Sequence, residues 1–392
     1  MTHLAPIPFH RPSLTGAEEA AVLEVMRSGW LTTGRRAVEF EEAIASAVGT
    51  RHAVAVNSAT AALHLALEAL GIGPDDEVIV PTYTFAASGE VVRYLGARPR
   101  LADVDPVTLN LTAATAEAQL TPRTRAIMVV HYGGLLAEMG PILELAERHG
   151  LAVVEDAAHA LPCSRDGRAA GAWGTAGALS FYATKTVTTG EGGMLVTDDD
   201  AIADRARMMR LHGISRDAWK RYMTGGSWYY EIEDVGFKYN LTDLAAALGL
   251  VQLARAEEMR LQRARVAQRY ADRFATSSVA DHVDLPPTGA PGDVHSWHLY
   301  PLRLRATAPV ARDAVIDRLA EAGIGTSVHF IPLHLHPYYR RTYGYQPEDL
   351  PVAAAEYRRE FSLPIYPDLT DADVDRVVAA VEAALLGDGP GR

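Results

Sequence analysis

The sequence is poor in cysteine and contains no long apolar run, and these absences exclude several classes of protein. Cys163 is the only cysteine among 392 residues, so no disulfide framework can form within the chain. Residues 1–11 lack the apolar stretch of a signal peptide, and no apolar run approaches the length of a membrane span. We therefore expect a cytoplasmic protein that has no membrane partner.

Positive charge is also scarce. The chain has 37 Lys and Arg residues against 49 Asp and Glu residues, which gives a formal net charge of -12. An acidic protein is repelled by nucleic acid and by an anionic membrane surface, so we expect no nucleic-acid partner. The rest of the composition, 48% hydrophobic and 22% charged, is that of a globular protein with a large core. The length predicts two or three folding units.

Four common catalytic motifs are missing from the sequence. It contains no G-x-G-x-x-G, no P-loop, no H-E-x-x-H and no G-x-S-x-G. These absences argue against a dehydrogenase, a nucleoside triphosphatase, a zinc protease and an α/β-hydrolase.

Between residues 50 and 200, short apolar runs alternate with helical patterns. The predicted strands are 53–57, 77–81, 126–131, 151–155, 178–182 and 193–197, and the predicted helices are 59–70, 85–95, 138–149 and 201–211. Such alternation indicates βαβ units and a mostly parallel sheet covered on both faces. We therefore expect functional groups at the carboxyl ends of the strands.

The remainder predicts a second, smaller α+β unit. A connecting helix over 241–276, capped by Asn240 or Thr242, leads to helices at 311–322 and 371–386 and to apolar segments at 296–304 and 325–330. The N-terminal arm, 1–45, holds one predicted helix (15–28) and a loop. We predict a large domain over 1–255 that includes this arm, a small domain over 256–386 and a disordered tail over 387–392.

Lys185 occupies a chemically unusual position, because it follows an apolar run and precedes the glycine-rich stretch TVTTGEGG. Apolar surroundings lower the pKa of an amine and leave it free to attack a carbonyl, as a lysine that binds pyridoxal phosphate must. A surface lysine at a strand end is the alternative. Asp156 ends another apolar run and could pair with a protonated pyridine nitrogen, and His159 follows three residues later. A strand-end cap for Asp156, a core histidine for His159 and a metal pair remain the alternatives.

Three further patterns suit a phosphorylated aromatic ligand. Ala59 and Thr60 open a helix with free backbone N–H groups, and Ser180 could add a hydroxyl. Phe85 follows a strand end and could stack on a planar ring. A plain helix cap and a core aromatic are the alternatives. The histidines at 329, 334 and 336 do not match a standard zinc spacing, so we predict no metal site.

The order of these motifs resembles the DegT/DnrJ/EryC1/StrS family of nucleotide-sugar aminotransferases, which are fold-type I pyridoxal-phosphate enzymes. The similarity runs from Ile7 to Leu386. It rests on SGWLTTG, NSATAALHLAL, PTYTFAAS, VVHYGG, VVEDAAHA, SFYATKTVTTGEGGMLVT and GFKYNLTDLAAALGLVQL. The resemblance implies an α/β fold, with a mostly parallel seven-stranded sheet between helices and a smaller C-terminal α+β domain.

The resemblance also implies residue roles around pyridoxal 5'-phosphate. Lys185 matches the lysine that binds the cofactor and shuttles the proton, and Asp156 matches the partner of the pyridine nitrogen. His159 matches a contact of the ring hydroxyl, and Phe85 matches the stacked aromatic. The phosphate-binding residues would be Ala59, Thr60, Ser180 and, from the other subunit of an obligate homodimer, Asn240.

Substrate residues are implied in the same way, since Trp30, Thr32 and His329 match positions near the sugar. The acidic net charge does not favour a diphosphate, so local cations would have to bind it. The candidates are Arg35, Arg36, Lys220 and Arg221, and a solvated surface position is the alternative for each. The partners would be a nucleotide-diphosphate keto-sugar and the L-glutamate/2-oxoglutarate pair. The family also contains dehydratases with histidine in place of the lysine, so Lys185 favours the aminotransferases.

The segment GFKYNLTD resembles family members that act at C-4. The predicted reaction is therefore amination of a dTDP-4-keto-6-deoxyhexose to a 4-amino-4,6-dideoxy sugar, for an antibiotic or a surface glycan. Alternatives are C-3 amination of a nucleotide 3-keto-deoxysugar and amination of a UDP-4-keto-pentose. A dehydratase, an aminotransferase for an inositol-type ketone and a catalytically idle regulatory member also stay open.

Overall fold

The computed structural model of the protein describes residues 5–214 and 229–387. Its strands, in chain order, are β1 (His52–Val56), β2 (Glu77–Pro81), β3 (Arg98–Ala102), β4 (Thr124–Val130), β5 (Ala152–Asp156), β6 (Ser164–Arg165), β7 (Arg168–Ala169), β8 (Ala176–Ser180), β9 (Gly193–Thr197), β10 (Val283–Asp284), β11 (Tyr300–Leu304) and β12 (Glu360–Leu363). Its α-helices are α1 (Gly16–Ser28), α2 (Arg35–Val48), α3 (Ala59–Ala69), α4 (Ala86–Tyr94), α5 (Ala113–Glu117), α6 (Met139–His149), α7 (Asp200–Met209), α8 (Asp243–Ala254), α9 (Ala256–Ala275), α10 (Arg312–Glu321), α11 (Pro337–Tyr343), α12 (Pro351–Tyr357) and α13 (Asp371–Leu386).

Seven of the strands form one sheet in the order β1-β9-β8-β5-β4-β2-β3. Strands β8, β5, β4, β2 and β3 are parallel, whereas β9 runs antiparallel to both of its neighbours. Helices α3, α4 and α7 cover one face, and α2, α6 and α8 cover the other. This arrangement confirms the predicted α/β class and the mostly parallel seven-stranded sheet.

Burial on both faces explains why the strands read as continuous apolar runs. In β1, Ala53 and Ala55 contact the core under α2 and α6, while Val54 and Val56 contact the opposite core under α3 and α7. Successive residues of a strand point to opposite faces, so a strand covered on both sides needs an apolar residue at every position.

Strand β3 was missed by the sequence prediction. It lies at the edge of the sheet, and its sequence, RPRLA, begins with two arginines that flank a proline. A proline is tolerated at a sheet edge because one side of an edge strand needs no ladder hydrogen bond. The pattern therefore resembles a loop although the residues pair with β2.

The N-terminal arm contains more structure than predicted, because α2 follows the expected first helix. Phe40 and Ile44 of α2 are fully buried against the sheet. The chain before α1 crosses to the C-terminal part of the molecule, where Ile7 forms a parallel bridge with Ile324. The prediction of one helix and a loop for 1–45 was therefore incomplete.

The connecting helix predicted over 241–276 is two helices, α8 and α9, which meet at Arg255. Thr242 caps α8 by accepting a hydrogen bond from the backbone N–H of Ala245 at 3.2 Å. The apolar segment 325–330 is not a strand, and only an isolated bridge joins Ser327 to Ser362. Within 5–214 and 229–387, no helix combines the length and the apolar character needed to cross a membrane.

A second core lies in the C-terminal part of the chain. The antiparallel sheet β10-β11-β12 packs with α9, α10 and α13 around side chains such as Tyr270, Leu302 and Val378. We propose a domain boundary at residue 256, because α9 begins there and turns its apolar face toward this core. The disordered tail was predicted over 387–392. Apart from Gly387, these residues lie outside the described part of the structure, so the disorder stays a prediction.

Candidate active site

The carboxyl ends of neighbouring strands bring the predicted residues to one edge of the sheet. Asp156 ends β5, where it pairs in register with Val130 of β4 and with Ala178 of β8. Ser180 ends β8, and the loop that carries Lys185 follows directly. Ligands of open α/β sheets bind at this edge, so the register alone places these groups around a common site.

Lys185 lies in a turn closed by a hydrogen bond from its backbone N–H to the carbonyl of Tyr182, at 2.9 Å. Its amine nitrogen Nζ is 3.3 Å from Nε2 of His298. Burial, opposed by the charge of Asp156 and assisted by that of Arg263, lowers the pKa of the Lys185 amine to about 8. A substantial fraction of the amine is therefore neutral near physiological pH, as a carbonyl nucleophile requires.

Asp156 is a buried carboxyl group that has few donors. Oδ2 accepts a hydrogen bond from Ser88 Oγ at 2.7 Å, and Oδ1 accepts one from the backbone of Ala158 at 3.2 Å. Burial raises the pKa of Asp156, because these bonds and the nearby Lys185 compensate it only in part. A cationic partner would complete the site, and a protonated pyridine nitrogen is such a partner.

Aromatic and imidazole rings surround Asp156 and Lys185. His159 lies 5.8 Å from Phe330 in a stacked arrangement and 4.3 Å from His298, measured between ring centroids. Its Nδ1 accepts a hydrogen bond from the backbone of Gly133 at 3.3 Å, which leaves the ring proton on Nε2. Burial and then the charge of Lys185 hold the pKa of His159 well below its ordinary value, so the ring is a neutral donor.

Phe85 is exposed at the start of α4, although it follows a fully buried strand. Its side chain is 63% exposed, and its ring centroid is 6.1 Å from that of Phe330. An aromatic ring left open beside a polar cleft has unused apolar area that a planar ligand could cover.

The start of α3 forms a cup suited to a phosphate. Ser58 caps the helix by accepting the N–H of Ala61, which leaves the N–H groups of Ala59 and Thr60 free of intrahelical partners. Gly193 lies in register between Val56 and Ser180, and a Cβ atom there would come within 2.3 Å of the Ser58 carbonyl carbon. Only glycine lets the sheet approach the helix end this closely, and free N–H groups with the helix dipole attract a phosphate.

The predicted substrate residues do not all join this site. Trp30 donates its indole N–H to the carbonyl of Thr33 at 3.2 Å, and the carbonyl of Thr32 accepts the backbone N–H of Asp243. These residues and Arg36 lie around the start of α8, where a cavity of about 480 Å³ is lined by both Trp30 and Arg36. In this chain no hydrogen bond joins them to Lys185 or Asp156 in the described parts.

Asn240 and the two described cations, Arg35 and Arg36, are engaged within the same chain. The amide of Asn240 donates to Thr33 Oγ1 at 2.7 Å and accepts from Lys238, and its backbone bridges Val56 beside the phosphate cup. Arg35 pairs with Glu39, and Arg36 pairs with Glu24 and Glu39. Lys220 and Arg221 lie outside the described residues.

His329 lies close enough to Lys185 for the charge of the amine to act on it. Burial and then that charge lower the pKa of His329 to about 3. The other two histidines of its segment have separate partners, since His334 contacts Thr82 at 2.8 Å and His336 contacts the carbonyl of Ile331. No cluster of three or more His, Cys, Asp and Glu side chains in residues 5–214 and 229–387 could hold a metal ion.

Several site residues were missed by the sequence prediction. His298 contacts Lys185 from a loop 113 residues away in the chain, and Ser88 reaches Asp156 from the first turn of α4. His10 of the N-terminal arm bonds the carbonyl of Ala183 at 3.0 Å, next to the lysine loop. Of these, only Ser88 could have been found from the sequence, because it lies in PTYTFAAS, a stretch that follows a strand end and carries the family resemblance.

The residues present fit pyridoxal phosphate. Four features occur along one sheet edge. They are an amine with a lowered pKa, a buried carboxyl group that has few hydrogen-bond donors, an exposed aromatic ring and two free N–H groups at a helix start. They match the carbonyl carbon, ring nitrogen, ring face and phosphate of this cofactor, and a simple hydrolytic site would not need the last two.

Comparison with known proteins agrees with this geometry. Residues 12–382 match the model of the DegT/DnrJ/EryC1/StrS aminotransferase family. The chain is 47% identical over 383 residues to the spore coat polysaccharide biosynthesis protein SpsC of Bacillus subtilis, and 97% of each chain is covered.

Solved structures show the same fold. The aminotransferase TlmJ from Streptoalloteichus hindustanus is 37% identical, with a TM-score of 0.88 over 97% of this chain and 98% of that one. The PLP-form of the putative sugar aminotransferase Spr1654 from Streptococcus pneumoniae is 32% identical, with a TM-score of 0.89 over 97% and 98% of the two chains. The predictions of the family, of a transaminase and of its cofactor are confirmed: the chain belongs to the DegT/DnrJ/EryC1/StrS aminotransferase family, and the enzyme depends on pyridoxal phosphate.

Proposed function

We propose that the protein transfers the amino group of L-glutamate to a nucleotide-diphosphate keto-deoxysugar. The observation that carries this is the Lys185 amine, whose pKa lies at about 8 beside the buried Asp156. The relatives support a sugar as acceptor, because SpsC is named for polysaccharide biosynthesis and Spr1654 is described as a putative sugar aminotransferase.

Each residue has a distinct task in this proposal. When bound, pyridoxal phosphate supplies an electron sink. Asp156 holds a proton on its ring nitrogen and so keeps that sink effective. The amine Nζ of Lys185 takes a proton from the α-carbon of glutamate and returns it during transfer to the sugar. His159 offers its Nε2 proton to the phenolic oxygen, and the start of α3 together with Ser180 binds the phosphate.

The pH dependence of cofactor uptake follows from the pKa of Lys185. With that pKa at about 8, the neutral fraction rises from about 10% at pH 7 to about 50% at pH 8 and about 90% at pH 9. The rate at which apoprotein takes up the cofactor should therefore rise about fivefold from pH 7 to 8 and less than about twofold from pH 8 to 9. Stopped-flow absorbance measures this rate. A steady rise of about tenfold per pH unit up to pH 9 would indicate an ordinary lysine.

We further propose that two subunits form the enzyme and share its sites, and that Asn240 of each subunit binds the cofactor phosphate in the site of the other. The segment that leads to Asn240 carries large exposed apolar side chains: Ile232 and Val235 are 69% and 85% exposed. Apolar groups left open on neighbouring residues are typical of a surface that a second chain covers.

The favoured substrate is a dTDP-4-keto-6-deoxyhexose aminated at C-4, which rests on the GFKYNLTD resemblance. A panel of nucleotide 4-keto and 3-keto sugars, including a UDP-4-keto-pentose, should be offered with glutamate. We expect the mass of an aminated product with the 4-keto-6-deoxyhexose, and NMR of that product assigns the carbon. Amination of the 3-keto sugars alone would transfer the assignment to C-3. Normal cofactor binding with no aminated product from any sugar would favour the idle regulatory alternative.

A further inference from the structure

His329 is held by protein contacts on almost every side. Its backbone N–H donates to Glu360 Oε2 at 3.0 Å, its Nδ1 lies 2.9 Å from Ser362 Oγ, and its carbonyl accepts the hydroxyl of Tyr132 at 2.6 Å. Its ring stacks on Phe9, with centroids 5.4 Å apart. The Nε2 atom has no hydrogen-bond partner within residues 5–214 and 229–387, and the residue is partly exposed. The ring is thus fixed, and Nε2 is the atom left for a ligand.

Ser362 connects His329 to a buried carboxyl group. Its Oγ is 2.7 Å from Glu360 Oε1, and both residues are fully buried on β12. The three groups therefore form a continuous chain from Glu360 through the hydroxyl of Ser362 to Nδ1 of His329. A hydroxyl has one proton, so it can donate to only one of these two neighbours at a time.

That single proton links two protonation states. An ionised Glu360 must accept the Ser362 proton, so Oγ accepts from Nδ1–H and Nε2 carries a lone pair. A protonated Glu360 donates from Oε1 to Oγ, because Oε2 is already bound to a backbone N–H. Ser362 then donates to Nδ1, and the imidazole proton is on Nε2.

We propose that Glu360 and Ser362 are positioning residues that couple the tautomer of His329 to the protonation of Glu360, so that Nε2 donates to an oxygen of the keto-sugar when Glu360 is protonated and accepts from a sugar hydroxyl when it is ionised. The protons balance: one that arrives at Nε2 is matched by transfer from Nδ1 to Oγ and from Oγ to Oε1. The coupling follows from the protein alone, and only the identity of the ligand rests on the proposed function.

The surroundings of Glu360 decide where this change occurs. The charged and titratable groups that face it are Arg312 on α10, Arg303 on β11, Glu356 on α12, Tyr83 after β2, Tyr132 after β4 and His329. Neither arginine forms an ion pair with the Glu360 carboxyl group: Arg312 donates to its backbone carbonyl at 2.9 Å, and Arg303 bonds Glu356. Burial raises the pKa of Glu360 to about 8, against the hydrogen bonds from Ser362 and the His329 backbone. Since the pKa of His329 is about 3, its ring stays neutral across this range.

The tautomer can be measured in the whole protein. Histidine labelled with ¹⁵N distinguishes the protonated from the unprotonated ring nitrogen, and the His329→Gln variant identifies the signals of His329. In the wild type we expect the proton on Nε2 at pH 6.5 and on Nδ1 at pH 9.5, with the midpoint near the pKa of Glu360. One unchanged tautomer over this range would overturn the proposal.

Two variants and a control separate the coupling from a structural role. Glu360→Gln can donate its amide proton to Ser362 while its oxygen keeps the His329 backbone bond, so Nε2 should stay protonated at every pH. Ser362→Ala removes the hydroxyl that joins Glu360 to Nδ1 of His329, so the tautomer should no longer follow pH. Ser327→Ala alters a neighbouring serine, whose backbone pairs with Ser362 but whose hydroxyl does not belong to the hydrogen-bonded series of Glu360, Ser362 and His329. This control should titrate as the wild type does.

The half-reactions give a functional readout. Ser362→Ala should lower kcat/KM of the sugar half-reaction about tenfold, because the hydrogen bond between Nε2 of His329 and the sugar is no longer held in place, and one neutral hydrogen bond has about this effect. The kcat/KM of the glutamate half-reaction should change by less than about twofold. Equal losses in both half-reactions would indicate a structural role and overturn the proposal. If no sugar is aminated, the proposed function fails, whereas the ¹⁵N titration still decides the coupling.

Discussion

Replacing Lys185 by alanine should lower the rate of amino transfer by about 10⁴-fold, because the variant loses the amine that moves the proton. The visible absorbance of the lysine-linked cofactor should disappear, although Asp156 and the start of α3 remain to bind the cofactor without a covalent bond. Absorbance spectra and glutamate-dependent turnover measure both effects. Added small primary amines should restore part of the activity, since a free amine can enter the space left by the side chain.

Borohydride reduction of the wild-type enzyme gives a direct control. The chain has three lysines, Lys185, Lys220 and Lys238, so peptide mapping assigns the reduced link without ambiguity. We expect the label on Lys185 alone. A label on either other lysine, or normal turnover by Lys185→Ala, would contradict the assignment.

The same variant tests the shared site. Lys185→Ala subunits are mixed with Asn240→Ala subunits. If Asn240 acts in the partner's site, each hybrid dimer contains one site with both changes and one with neither, so activity should return on mixing. No recovery, despite exchange of subunits shown by mass, would place Asn240 in the site of its own chain.

Replacing Glu155 by alanine should lower the free energy of unfolding by about 3–5 kcal/mol, because two buried and two partly buried donors lose their acceptor. Glu155 is fully buried beside Asp156. It accepts the backbone N–H groups of Gly171, Trp173 and Gly174 at 2.8, 2.6 and 2.6 Å, and Nε2 of His131 at 2.8 Å. The proton of His131 is on Nε2, because its Nδ1 accepts the N–H of Ala137.

Glu117→Ala is the matched control for this prediction. Glu117 pairs with Arg148 at the surface, where their side chains are 57% and 58% exposed, so its loss should cost less than about 1 kcal/mol. Urea unfolding of both apoproteins at one protein concentration compares them, since association of subunits would otherwise affect the result. Equal stability of the two variants would show that water replaces Glu155 as acceptor.

The local sequence identified the residues at strand ends because their position follows from pattern alone. An apolar run that ends in Asp156 predicts a strand, as does the run 178–182 that contains Ser180, and the carboxyl ends of parallel strands lie at one edge. The same reasoning failed for β3, where arginines and a proline at a sheet edge concealed the strand. It also failed for α2, whose buried face, including Phe40, was not recognised as a helix in the arm.

The partners of those residues could not be found in this way. His298 approaches Lys185 across more than a hundred residues of chain, and Glu360 approaches His329 from a strand that the sequence analysis did not predict. Nothing in the local pattern around Glu360 distinguishes a buried carboxyl group from one at the surface. Its burial arises only when β12 pairs with β11 and α10 covers the strand.

By itself, the sequence determined the class of fold and the family and predicted which lysine binds the cofactor, because apolar periodicity and ordered motifs are local properties of the chain. The tertiary structure decided the electrostatic state of the site: which carboxyl group lacks an ion pair, which imidazole nitrogen is free and how far the pKa of Lys185 falls. These properties depend on which distant groups exclude water from one another, and the packing of the whole chain sets them.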